Sequence, residues 1–159
     1  MTSVRELRPE DDLAAVLALC REFFAEYEQH HSVFFDTEDL RDEDISGRFL
    51  ESMESDSSAT IVALVDGQIV GYASVTVREQ PSFYKVKRVG VISGLMVAKG
   101  HRRKGIATRL LAGARDYFQR RGIRFFTVYT AAANQAAVEF YEQNGLAVLH
   151  TTFLGETER

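Results

Sequence analysis

The chain has 159 residues, 45% of them apolar and 26% charged. That is enough for one globular domain, expected to span residues 1–159, burying about 70% of the surface its unfolded chain exposes. No apolar run approaches the ~20 residues of a membrane helix. Arg5, Glu6 and Arg8 interrupt the N-terminal stretch where a signal sequence would be apolar. The one cysteine, Cys20, excludes an internal disulfide and fits a reducing cytoplasm. The net charge of −4 hides an asymmetry: residues 1–60 hold 16 acidic and 5 basic side chains (−11), residues 61–159 hold 7 and 14 (+7). The basic part suits an anionic ligand and the acidic part a cationic one, although most of the acids fit the solvated faces of amphipathic helices.

Residues 2–8 read as a short strand. Pro9-Glu10-Asp11-Asp12 then starts a helix on which Leu13, Val16, Leu17, Cys20, Phe23 and Phe24 recur at helical spacing. Cys20 lies on that apolar face, with no base placed near it, so it reads as a small core residue rather than a nucleophile. His30-His31 ends the helix, and no further Cys, His or Asp cluster comes after it at metal-ligand spacing, so no metal site is expected. Residues 32–56 are acidic and aromatic, with Phe34, Phe35, Leu40, Ile45, Phe49, Leu50 and Met53. They predict a second helix over roughly 38–54, able to line an acceptor pocket or simply to cover the sheet. Residues 59–65 and 69–77 read as strands joined at Asp66-Gly67, a hairpin signal. After a turn at 79–82, residues 87–97 form the third strand of an antiparallel series. Gly94 interrupts that strand, which suggests a bulge or a close backbone approach.

The segment 97–111 organises the C-terminal part of the chain. Lys99-Gly100-His101-Arg102-Arg103-Lys104-Gly105 is a glycine-punctuated loop with four cationic residues among its seven. It opens a helix over 105–121 that carries Ile106, Leu110, Ala114 and Phe118 on one face and stops at Arg121-Gly122. Unpaired N–H groups and the positive end of the dipole make that helix start a seat for phosphate. The spacing Gly100-x4-Gly105 is followed by Ile106-Ala107, which rejects a P-loop, and the absence of G-x-G-x-x-G rejects a dinucleotide turn. Residues 123–130 predict a buried strand parallel to 89–97, completing a strand–helix–strand unit. Asn134 then caps a helix carrying Ala137, Phe140 and Tyr141 and ending at Asn144-Gly145, and residues 146–153 predict a last strand.

Two motifs carry a family resemblance. Arg102-x-x-Gly105-x-Ala107 resembles the Q/R-x-x-G-x-G/A signature of the GNAT superfamily of acyl-CoA N-acyltransferases. About 30 residues later, Asn134-x-x-Ala137-x-x-Phe140-Tyr141-x-x-x-Gly145-Leu146 resembles the family's N-x-x-A-x-x-F-Y-x-x-x-G-F, departing only at Leu146. The resemblance covers roughly residues 2–153. It implies an α+β fold: a mostly antiparallel mixed sheet of six to seven strands, a central parallel pair that splays to hold CoA, and helices on both faces.

The implied activity is acetyl transfer from acetyl-CoA to a primary amine, by direct attack through a tetrahedral intermediate. By the same resemblance, the pantetheine arm runs along Leu95, Met96 and Val97, and a backbone N–H near Met96 holds the thioester carbonyl. The diphosphate lies on the N–H groups of Arg102, Arg103, Lys104, Gly105, Ile106 and Ala107, Asn134 contacts the arm through its amide, and Tyr141 protonates the departing thiolate. A phenol suits that task because its pKa is not far from a thiol's.

The glutamate that many family members carry on the strand before the phosphate loop is missing; Ser93 and Gly94 stand in mid-strand, leaving Glu79 and Tyr129 as substitutes. That gap keeps open a catalytically silent CoA-binding sensor of the same fold. Net acidity and the lack of a base-reading helix argue against nucleic acid. The expected partners are an amine acceptor, a cationic one if Asp36, Glu38 and Asp39 meet it, and a second copy should the chain form a homodimer. Neither membrane nor nucleic acid is expected.

Overall fold

The structure is a computed structural model describing residues 1–31, 33–34 and 36–158. Phe35, part of the acidic and aromatic segment, lies outside the described residues. In chain order the elements are β1 (Thr2–Glu6), α1 (Leu13–His30), α2 (Asp42–Glu54), β2 (Ser58–Val65), β3 (Gln68–Glu79), β4 (Arg88–Val97), α3 (Ile106–Arg120), β5 (Phe126–Val128) and α4 (Gln135–Gln143), with a 3-10 turn at Lys99–His101. The strands form one sheet in the order β1-β2-β3-β4-β5. β1 to β4 pair antiparallel; β4 and β5 pair parallel across α3. Asp66 (φ 50°) and Gly67 (φ 82°) make the β2–β3 turn, as the dipeptide predicts.

Period-two alternation sends the sheet's apolar residues to two faces. Ile61, Ala63, Ala73, Val75 and Ile92 meet Ile106, Leu110, Leu111, Ala114 and Phe118 of α3. Val62, Leu64, Tyr72 and Met96 meet Val16, Leu19 and Cys20 of α1 and Ile45 and Phe49 of α2. Leu110, Val16 and Val62 are fully buried, each worth about 1.5–3 kcal/mol in transfer free energy. Gly90 is needed for the fit on the α3 face: a Cβ there would fall 2.6 Å from the Phe118 ring.

Three expectations are corrected. First, α2 begins at Asp42 rather than near residue 38. The Glu38 N–H donates to Asp36 Oδ1 and the Leu40 N–H to the Thr37 carbonyl, so local turns hold that stretch. Second, β5 has three residues rather than eight. Gly122 is left-handed (φ 72°) and the Ile123 N–H is still bonded to the Phe118 carbonyl of α3, which delays the strand's start. Its end comes where β4 turns away.

Third, residues 146–153 form no strand, so the sheet has five strands among the described residues rather than six or seven. Strand-forming composition needs a backbone partner, and among the described residues no backbone hydrogen bond reaches residues 147–158.

Candidate active site

One residue of β4 falls out of register beside the point where β5 stops. Between β3 and β4, Ser74 stands opposite Gly94 and Val75 opposite Ile92, so Ser93 has no partner. An extra residue inverts the alternation of backbone groups along a strand. Before the bulge, the Gly90 N–H donates to the Phe125 carbonyl at the foot of β5 (2.9 Å). After it, the Ala98 N–H donates to the Val70 carbonyl on the β3 side (2.8 Å). By that alternation Gly94 and Met96 turn their amides to β3, while Leu95 and Val97 turn theirs to the β5 side. β5 accompanies β4 only from Gly90 to Ile92, so no strand covers the amides of Leu95 and Val97. The expected N–H near Met96 is thereby narrowed to its two neighbours.

Just beyond β4, Arg103 (φ 60°) and Gly105 (φ 79°) both adopt left-handed backbone. For an L-residue such as Arg103 this costs about 1–2 kcal/mol. Such conformations fold successive N–H groups into an anion-binding concavity. α3 begins at once, with no side chain capping its N-terminus. The first-turn N–H groups of Ile106, Ala107 and Thr108 have no intrahelical acceptor, and a Cβ built on Gly105 would meet nothing within 4 Å. Arg103 and Lys104 are exposed beside this mouth.

Arg102 behaves differently. Its Nε donates to the Val97 carbonyl (2.8 Å), and its Nη2 contacts Glu26 Oε1 on α1 (2.7 Å) and Met96 Sδ (3.5 Å). The guanidinium thus ties the loop to β4 and α1, and the Arg102 N–H donates to the Lys99 carbonyl (3.5 Å). Sequence spacing gives no sign of Glu26 as a site residue, because its partner lies 76 positions away.

α4 packs on the α3 side of the sheet through Phe140, yet Tyr141 interacts electrostatically with Tyr27 of α1, on the opposite side. Those two positions are compatible where β4 and β5 diverge. Burial, with the Tyr27 phenol close by, pushes the Tyr141 hydroxyl up to about 12. Burial also raises Tyr27. Asn134 caps α4, its Oδ1 accepting from the Ala137 N–H at 3.1 Å, so only its amide NH2 is left for a ligand.

A cavity of about 500 Å³ lies between α1, α2 and the sheet and reaches the bulge at Ser93 and Gly94. Its aromatic end is Phe23, Phe24, Phe49 and Tyr72, and hydroxyls of Ser58, Thr60, Ser74 and Thr76 line its floor. The acids on its wall are Asp44 and Glu51; Asp36, Glu38 and Asp39 do not line it. Cys20 does line it, as a buried thiol raised by desolvation and hydrogen-bonded with Tyr72. That is the environment of an inert core residue.

Of the two substitute bases only Tyr129 stands near the opening, one residue past the Ile92–Val128 pair. Glu79 pairs with Arg88 (3.0 Å) at the far end of β4, about 25 Å along the strand from Met96. Tyr129 is 66% exposed beyond the end of β5. Among the described residues no group of three or more His, Cys, Asp or Glu could hold a metal ion, and no helix is long and apolar enough to cross a membrane.

Among the described residues, β4 thus has a stretch of amides without a strand and runs into a helix start without a side-chain cap. The chain belongs to the acetyltransferase (GNAT) family, whose pattern it matches over residues 16–146. It is 33% identical over 95 residues to the uncharacterized N-acetyltransferase YhfO of Bacillus subtilis, covering 58% of this chain and 61% of that one. To the mycothiol acetyltransferase of Renibacterium salmoninarum it is 28% identical over 149 residues, 91% of this chain but 40% of that protein. The chain therefore spans about half the length of these curated relatives.

Among solved structures it resembles the aminoglycoside N-acetyltransferase AAC(6')-Iy in complex with CoA (TM-score 0.80, 16% identity, 100% of this chain and 96% of that one). It also resembles the BH1408 protein of Bacillus halodurans (TM-score 0.81, 18% identity, 97% and 99%). Those likenesses confirm the mixed α+β fold.

Proposed function

We propose that residues 1–159 form a single N-acetyltransferase domain that moves an acetyl group from acetyl-CoA to a primary amine. The observation that carries this reading is that β4, with the amides of Leu95 and Val97 left uncovered by β5, leads directly into the uncapped start of α3. The fit is chemical: a pantetheine chain has two amides to pair with an open edge, and a diphosphate needs the N–H groups that α3 leaves unused. When bound, acetyl-CoA supplies the activated acyl carbonyl and a thiolate leaving group.

The chain's residues then have separate tasks. The N–H of Leu95 or Val97 holds the acyl oxygen and stabilises the charge that develops on it. Backbone N–H groups from Arg103 to Ala107 seat the diphosphate, with Arg103 and Lys104 adding charge; the NH2 of Asn134 is the group offered to the arm. The Tyr141 hydroxyl donates its proton to the departing sulfur. Its high pKa keeps that proton in place at neutral pH.

The amine enters through the cavity beneath α2, whose wall carries Asp44, Arg48 and Glu51, Asp44 being paired with Arg41. No strong base stands at the opening, so the amine reacts after losing its proton to solvent. The relatives named as mycothiol and aminoglycoside acetyltransferases support an amine acceptor. We further place the protein in the cytoplasm, as a homodimer.

The test is thiol release from acetyl-CoA against a panel of amines, with calorimetry of CoA binding in parallel. Acceptor-dependent release is the expected result. Tight CoA binding with no release from any amine would replace the enzyme by the sensor.

A further inference from the structure

The cavity beneath α2 carries one open positive charge. Of the described residues that line it, Arg48 is the only cation. The first sixty residues hold five arginines and no lysine. Arg5, Arg21 and Arg41 are each paired with an aspartate, and Arg8 lines a separate cavity beside β1 and α3. Arg48 makes no hydrogen bond or ion pair among the described residues. Helical spacing puts Asp44 one turn before it, where a carboxylate could pair with it, yet Asp44 is taken by Arg41 (3.2 Å). Arg48 stands close enough to Cys20 of α1 to act electrostatically on its thiol, so its charge is felt inside the cavity.

Glu51, a turn further along α2, likewise has no ion pair among the described residues. The α2 wall thus shows one open charge of each sign. A polycation meets repulsion at Arg48, whereas a molecule with one ammonium and one carboxylate is matched at both. The opposite wall is aromatic, with Phe23, Phe24 and Tyr72, and the volume of about 500 Å³ suits a small molecule.

We propose that the acceptor is an amino carboxylate with an apolar body, of the α-amino acid type, and that Arg48 selects it by pairing with the carboxylate. This rests on the acetyl-transfer reading. A planar guanidinium takes a carboxylate through two parallel N–H···O bonds. The aromatic wall takes the apolar body, and the amine is left to reach the bulge at Ser93 and Gly94. There the neutral nitrogen bonds to the acyl carbon and the C–S bond breaks. The sulfur takes its proton from Tyr141, and the proton shed by the nitrogen restores the phenol through solvent. The product has lost the ammonium charge and keeps the carboxylate that Arg48 holds.

Two readouts test the proposal. Thiol release from acetyl-CoA is compared for leucine, methionine and phenylalanine and for their α-carboxamides. The amides have the less basic amine, so a preference for the acids cannot come from the nucleophile. kcat/KM should be about tenfold or more higher for the acids, mainly through KM. Arg48→Gln should remove that preference and Arg48→Glu reverse it. Arg48 is exposed, so neither variant disturbs the core, and unchanged CoA affinity in calorimetry checks that both are folded.

The second readout needs no turnover. The CoA complex is titrated calorimetrically with N-acetylleucine, N-acetylmethionine and N-acetylphenylalanine, and Arg48→Gln should weaken their binding about tenfold or more. Amines acetylated without preference for the acids, or a preference that survives Arg48→Gln, overturn the proposal and leave the enzyme standing. Arg48-dependent binding of the N-acetyl carboxylates with no thiol release from any amine supports the carboxylate site and overturns acetyl transfer. Neither binding nor release overturns both.

Discussion

The starts of α3 and α4 are built oppositely. At α4, Asn134 lends its side-chain oxygen to the Ala137 N–H, so the helix satisfies part of its own first turn. At α3 the corresponding residue is Gly105, left-handed and without a side chain to lend, and the N–H groups stay open. A helix end left unsatisfied is a cost unless something else fills it. Arg103 adds to that cost by standing in left-handed backbone beside it. One start serves the fold, the other the ligand. α4 makes its contribution to chemistry two turns later, at Tyr141.

The substitution with the largest expected effect sharpens that division. Tyr141→Phe keeps the ring against Phe140 and removes only the hydroxyl. We expect kcat to fall about 10²-fold, the low end for a general acid, with CoA affinity nearly unchanged. An acyl donor with a better leaving group should lose less. Wild-type turnover with chemistry rate-limiting would make Tyr141 a packing residue.

Gly105→Asp breaks the open start. It puts a carboxylate where the diphosphate belongs, and CoA affinity measured by calorimetry should fall at least tenfold, about 1.4 kcal/mol. Gly105→Ala is the control for backbone strain. With φ at 79° it should cost about 1 kcal/mol of stability and leave much of the affinity.

Asn134→Ala breaks the closed start instead. Loss of the cap should cost about 1 kcal/mol, or roughly 2–4 °C in Tm for a chain of this size, with a smaller effect on CoA than Gly105→Asp. If Asn134→Ala instead weakens CoA more than Gly105→Asp does, the two starts have been assigned the wrong way round.

The smallest effect is a pH limb. With Tyr141 moved from 10 to about 12, its proton is retained through neutral pH, and kcat should show no alkaline loss from this group until about pH 11. For stability the sign comes from the raised value. The folded state favours the neutral phenol, so its contribution is intact below pH 10 and is lost as pH rises from 10 towards 12. Tyr141→Phe should flatten that part of a pH–Tm curve.

Local chemistry explains which features are legible in the sequence. Asp66-Gly67 must turn, Gly105 must tolerate left-handed backbone, Asn134 is a good cap, and the apolar stripe of α3 faces one way; each depends on neighbours within a few residues. The bulge is visible only as an interruption at Gly94, and the odd residue is Ser93, because register is decided by the partner strand. The motif places the Arg102 backbone in the phosphate loop and says nothing of its guanidinium, which Glu26, Met96 and Val97 engage. Such long-range pairings leave no spacing to read. The tail fails as an expected strand because composition favours pairing without choosing a partner, and among the described residues no backbone hydrogen bond reaches residues 147–158.

The unpaired Ser93 has a consequence for how this strand can be altered. It is the one residue of β4 that the register skips, so deleting it would leave Ile92 opposite Val75 and Gly94 opposite Ser74. Leu95, Met96 and Val97 would keep their faces and the directions of their amides, and only the local kink of the bulge would be lost. Deleting a paired neighbour such as Leu95 would instead shift every pair beyond it by one and send those side chains to the opposite face. A set of single deletions along β4 should therefore spare the fold at Ser93 and destabilise it elsewhere, as thermal melting would read.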